Sequence, residues 1–278
     1  MEVEELLERA TRLADDGDWG GAADLLRDYL EDFAEDPAVH CALGVAEREL
    51  GMGGVAYECF KRALALDPTD PVVLATAGSG IAAFDDLDAE RALRTAAITA
   101  PDVPLARLMY GSYLSREGFP EDAVRELRAA RELDPDDPQI AYELGVAYAL
   151  AGQTEMACDA LGDSVRLDPE DGWVRTVFGL VLLEAGRDEE ATGELISGAR
   201  RSPHDVDAQI AAALAAAASG MDEAYEMLER ARLLSAEGDL VLVADLEERI
   251  DAGDESAGSA LREDFAPDML RSRLQERP

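Results

Sequence analysis

Lysine is almost missing from this chain and asparagine is missing altogether: Lys61 is the only lysine among 25 basic residues, and the rest are arginine. No basic face is available to release counterions from a phosphate backbone, so direct nucleic-acid binding is not expected. Cysteine is scarce. Cys41, Cys59 and Cys158 are odd in number and have no CxxC spacing, which argues against a disulfide framework. His40, Cys41 and Cys59 would leave a metal one ligand short, and His204 follows Pro203 in a turn. No apolar run approaches the length of a bilayer span. The opening MEVEELLERA starts on acids rather than on a basic stretch followed by an apolar one, so neither a signal peptide nor membrane attachment is expected. These absences point to a cytoplasmic protein. The glycine clusters at Gly51 to Gly54 and Gly78 to Gly80 neither follow a strand nor end in Lys-Ser/Thr, and no GxSxG or HExxH occurs. No catalytic residue, metal, cofactor or small-molecule substrate is expected.

What is present is a period. In Pro138 to Asp171, Leu144-Gly145, Tyr148, Ala157, Leu161 and Pro169 stand at offsets suited to two helices and two turns. Gly145 and Ala157 are small where the two helices must approach, and Leu144, Tyr148 and Leu161 fill the seam. Gly152 suits the left-handed end of the first helix, and Asp168-Pro169 stops the second. Downstream, Phe178-Gly179, Leu182, Gly186, Ala191, Leu195 and Pro203 repeat the pattern; upstream, Tyr110-Gly111, Leu114, Gly118, Ala123, Leu127 and Pro135 do the same. Leu43-Gly44, Gly51, Ala56, Phe60, Ala63 and Pro68 form another clear copy. Fainter copies run over residues 3–36, 71–103 (a residue short at its turn) and 206–238. The pattern resembles the tetratricopeptide repeat (TPR), whose unit is about 34 residues. Seven repeats follow: 3–36, 37–70, 71–103, 104–137, 138–171, 172–205 and 206–238. The resemblance implies an all-α, right-handed α-solenoid, closed by a capping helix over 239–252.

Sixty-one acids against 25 bases give a formal charge of −36, with the acids spread over every repeat. At molar salt the screening length falls to about 3 Å and such self-repulsion largely disappears. The acidic, lysine-poor composition resembles that of proteins from extreme halophiles.

In TPR proteins the first helix of each repeat lines a concave groove through its second, fifth, ninth, twelfth and thirteenth positions. Carried onto this chain, those positions include Leu105, Leu108, Ser112 and Arg116 of the fourth repeat. The fifth repeat supplies Gln139, Tyr142 and Val146, and the sixth Trp173, Thr176 and Leu180. The lining is apolar and partly aromatic, and it lacks the Lys/Asn clamp of the co-chaperone subclass. The resemblance therefore implies a non-catalytic scaffold or adaptor that takes a peptide or helix of another protein in the groove. The alternatives are a regulatory or assembly subunit of a cytoplasmic enzyme complex and, last, a metal-dependent enzyme.

The small, polar DAGDESAGSA at 251–260 reads as a linker, and residues 253–278 as linker plus short amphipathic tail. Leu261, Phe265, Met269, Leu270 and Leu274 fall on one helical stripe, interrupted by Pro267, which suits the first turn of a helix from Asp268 to Gln275. Such a stripe is expected to fold back on the capping helix or into the groove.

Overall fold

The computed structural model describes residues 1–235 and 240–275, and the expected boundary between solenoid and cap at 238/239 lies outside them. Among the described residues every regular element is helical. Fourteen helices form seven consecutive pairs: α1 Val3–Asp15 with α2 Trp19–Asp28, α3 Pro37–Glu49 with α4 Gly53–Ala65, α5 Pro71–Ala82 with α6 Asp88–Thr99, α7 Pro104–Arg116 with α8 Pro120–Leu133, α9 Pro138–Leu150 with α10 Thr154–Leu167, α11 Gly172–Glu184 with α12 Asp188–Arg201, and α13 Val206–Ala218 with α14 Glu223–Leu234. The partners of each pair pack along their length, as in a TPR α-solenoid. Expected as one array, the pairs divide into two compact units, Met1–Asp134 and Pro135–Pro278. Such a division is open to a fold held by nearest-neighbour contacts.

The junctions show why the pairs recur. In the repeated Asp-Pro-x-Asp pattern the first aspartate and proline close one helix, and the second aspartate caps the next. Asp70 accepts from the Val72 amide at 2.8 Å, Asp137 from Gln139 at 2.7 Å and Asp171 from Val174 at 3.0 Å. Pro71 and Pro138 occupy the first helical turn, where a missing amide hydrogen costs nothing. Within the fifth pair, a β-carbon on Gly145 would stand 2.6 Å from Leu161 Cγ and 3.2 Å from the Leu161 amide. The two backbones could not approach so closely with any larger residue.

One of the core clusters of unit 1 contains Phe60, which lies against both Gly44 of α3 and Gly80 of α5. The third pair departs from the rest. Its missing residue does not shorten the turn; the connection lengthens to 83–87, because α5 ends early and α6 starts late. Where other repeats place glycine, Asp85 takes the left-handed conformation at φ 54°. Asp86 then organises the loop: its carboxylate accepts from the Asp88 amide at 2.9 Å and the Tyr57 hydroxyl at 2.8 Å, and pairs with Lys61 at 3.0 Å. These bonds hold Asp86 down to a pKa of about 2, the Asp88 amide contributing most. Lys61 is raised, chiefly by its hydrogen bond to Asp88.

In unit 2, α15 Leu240–Asp251 follows the last pair and packs on α14 and α13. The next segment corrects the sequence reading. Residues after Gly253 are not a linker but a helical run: α16 Asp254–Ser259, a π-helical turn Ala260–Phe265, and α17 Ala266–Gln275. The small residues are there for contact. α13 offers a surface of alanines, and Ala257 and Ala260 bury themselves completely as α16 and the π turn pack on it. Pro267 is accommodated at the start of α17, directly after the wide π turn, where a shift in hydrogen-bond pairing absorbs a missing donor.

Candidate functional site

The odd-numbered helices of unit 2 form the face on which the groove was expected, and the chain's own end lies across it. α16 packs on α13, while α17 packs on α11 and reaches α9. The helices beneath are set by their caps: Asp137 starts α9, Asp171 starts α11, and Asp205 starts α13 by accepting from the Ala208 amide at 3.1 Å. This placement brings Tyr142 and Trp173 together, with the Trp173 Nε1–H donating to the Tyr142 hydroxyl at 3.1 Å. Tyr142, Val146, Val177 and Val181 form the buried floor, and Ala149, Leu150 and Leu183 pack at its edge.

α17 enters this floor with Leu270 and Leu274, which lie against the same cluster. Between them Arg273, only 4% exposed, stacks its guanidinium 4.1 Å from the centre of the Trp173 ring. Its Nη2 donates to Asp205 Oδ1 at 2.7 Å, so the carboxylate that caps α13 also anchors α17. The Arg273 Nη1 is buried without a hydrogen-bond acceptor. Sequence reading missed Arg273 and Asp205 as site residues. The signal was available: Ala266, Met269, Leu270, Arg273 and Leu274 follow helical spacing, so the arginine stands on the apolar stripe itself.

The expected groove residues divide. Gln139 is exposed, Trp173 is half-buried under α17, and Tyr142 and Val146 are buried beneath it. Thr176 and Leu180 are instead seam residues. The Thr176 hydroxyl donates to the Gly172 carbonyl at 2.9 Å and lies against Gly198 of α12, and Leu180 packs with Leu195, Ile196 and α13. Their register positions match the groove, but the closeness of α11 to α12 at Gly198 turns both inward. In unit 1, Leu108 and Ser112 are buried, Leu105 is half-buried and Arg116 is exposed.

His40 Nε2 meets the Ala34 carbonyl at 2.9 Å, and burial pushes the Cys41 thiol up to about 12 and Cys59 to about 11. Among the described residues no three His, Cys, Asp or Glu side chains are grouped as metal ligands, and no helix is long and apolar enough to cross a membrane.

The helix pairs define the class, an all-α fold of the TPR solenoid type. Residues 7–71 and 111–172 match the tetratricopeptide-repeat family model. Among solved structures, a chain of the Cut9–Hcn1 hetero-tetramer of the APC/C is similar over 87% of this chain and 48% of its own, at 19% identity and TM-score 0.71. TTC0263, a thermophilic TPR protein of Thermus thermophilus, is similar over 64% of this chain and 98% of its own, at 23% identity and TM-score 0.55. Both likenesses are of fold, and the chain spans about half the length of the first. No curated protein matches the sequence.

Proposed function

We propose that the chain is a non-catalytic interaction scaffold that holds a peptide or helix of another protein on the odd-helix face of its repeats. The observation that carries this reading is α17 itself, a helix seated on α9 and α11 through leucines and a stacked arginine. A surface that accepts one amphipathic helix has the apolar floor and polar anchor needed for another. The formal charge of −36 favours a partner with basic groups and disfavours nucleic acid.

The test is capture of the partner by the full chain, purified from its own cells at native salt. Leu150→Glu places a charge at the edge of the α9 floor, whereas Met156→Glu places one on α10, where the side chain is 53% exposed. The proposal expects the first to lose the partner and the second to keep it, with similar melting curves. Equal retention, or equal loss, would rule out the odd-helix face.

A further inference from the structure

We infer that the odd-helix face of unit 2 is a receptor for an arginine-bearing amphipathic helix, and that α17 is its built-in ligand, exchanged for a partner helix of the same chemistry. This rests on the scaffold reading above and names what the site recognises. Three contacts define the recognition. Leu270 and Leu274 supply apolar contact to the floor containing Tyr142 and Val146. Arg273, three residues after the first and one before the second, is read twice: its face by the Trp173 ring at 4.1 Å, its edge by Asp205 at 2.7 Å. A planar cation is required at that position, because an ammonium matches the ring and the carboxylate less well at once. The fitting partner is therefore a helix carrying the pattern Leu-x-x-Arg-Leu on one face.

Several features make α17 exchangeable rather than a fixed part of the core. It is 10 residues long, too short to be stable as a helix in isolation. It is joined to α16 through a π-helical turn next to Pro267, a place where a helix is poised to bend. One guanidinium nitrogen of Arg273 is buried without an acceptor, so the docked state carries a desolvation cost that is relieved when α17 lifts into water. Residues 261–277 carry four arginines and four acids, in a chain otherwise dominated by acids. Its tether keeps α17 at a local concentration in the millimolar range, so a partner must compete with it.

The experiment uses full-length protein and a fluorescent peptide with the sequence of residues 260–275. Its binding is measured to the wild type, to Arg273→Glu and to a second variant, Leu270→Ser/Leu274→Ser, in which only tail residues change. Displacing the cis helix should tighten peptide binding at least tenfold in both variants, and a peptide carrying Arg273→Glu should bind neither. Equal affinity for all three proteins, or no binding to any, would overturn the inference. So would loss of helix content in both variants beyond that of α17 itself, which would make α17 a structural cap. The two proposals fail separately. Peptide exchange without partner capture removes the scaffold reading, and partner capture with no peptide exchange removes only the assignment of the receptor.

Discussion

Replacing Arg273 by alanine should release one helix and leave the rest of unit 2 standing. The stack on Trp173 contributes about 0.5–2 kcal/mol, and the charge-assisted hydrogen bond to Asp205 about 1.5–3 kcal/mol. Against these stands the buried Nη1 without an acceptor, a penalty of about 1–3 kcal/mol that the substitution removes. Taking the middle of each range, the net loss is about 1.5 kcal/mol, or roughly a 10-fold rise in the open population of α17. Asp205 keeps its bond to the Ala208 amide, so α13 stays capped. Hydrogen exchange read by peptide mass spectrometry should show residues 266–275 losing about 10-fold in protection while α10 and α12 hold theirs. Trp19 and Trp173 are the only tryptophans, so a Trp19→Phe background makes Trp173 the reporter, and its emission should shift to the red as α17 lifts. Protection lost evenly over α9 to α14, or unchanged in α17, would refute the reasoning.

Gly145→Ala should destabilise by about 1–3 kcal/mol in urea unfolding, since its β-carbon would stand 2.6 Å from Leu161 Cγ. Gly193→Ala, on α12 with open space around it, should stabilise by about 0.5–1 kcal/mol, and a stable Gly145→Ala protein would contradict the close packing of α9 on α10. Asp86, whose ordinary value is 3.8, should titrate near 2 by carboxyl NMR. Because its folded pKa is lowered, its contribution is complete above about 3.8 and disappears as pH falls through about 2; a carboxyl titrating at the ordinary value would mean that its bonds to Tyr57, Lys61 and the Asp88 amide do not form. If the acidic composition reflects adaptation to salt, helicity by circular dichroism should fall as KCl drops well below about 1 M, where the screening length grows beyond about 3 Å. A flat titration to tens of millimolar would remove that reading.

The repeats were legible because their constraints are local. A glycine under Leu161, a left-handed Gly152 at φ 69° and a capping aspartate before five of the seven first helices are demands that one residue type meets best. The third pair shows the limit of this, since Asp85 adopts the turn without glycine and the register slips at the helix ends. The candidate site was legible in part. Tyr142, Val146 and Trp173 stand where the family pattern puts groove residues, but Thr176 and Leu180 occupy equivalent positions and face the seam. Register alone does not report how closely two helices approach. The carboxyl-terminal segment was misread for a related reason: alanine, glycine and serine look like a linker until a second alanine-rich surface, α13, is found to match them. Arg273 was missed because its carboxylate partner, Asp205, lies 68 residues away in sequence.

The central claim is that one face serves both the chain's own helix and a partner. Ala149 lies at the edge of the floor with Leu270 and Leu274, so a photo-crosslinking residue there can report whichever helix is present. In the full chain without its partner, irradiation should join position 149 to residues 266–275. With the partner saturating, that product should give way to a crosslink between position 149 and a partner helix carrying an arginine on its apolar stripe. An internal crosslink that persists undiminished when the partner is bound would contradict the account.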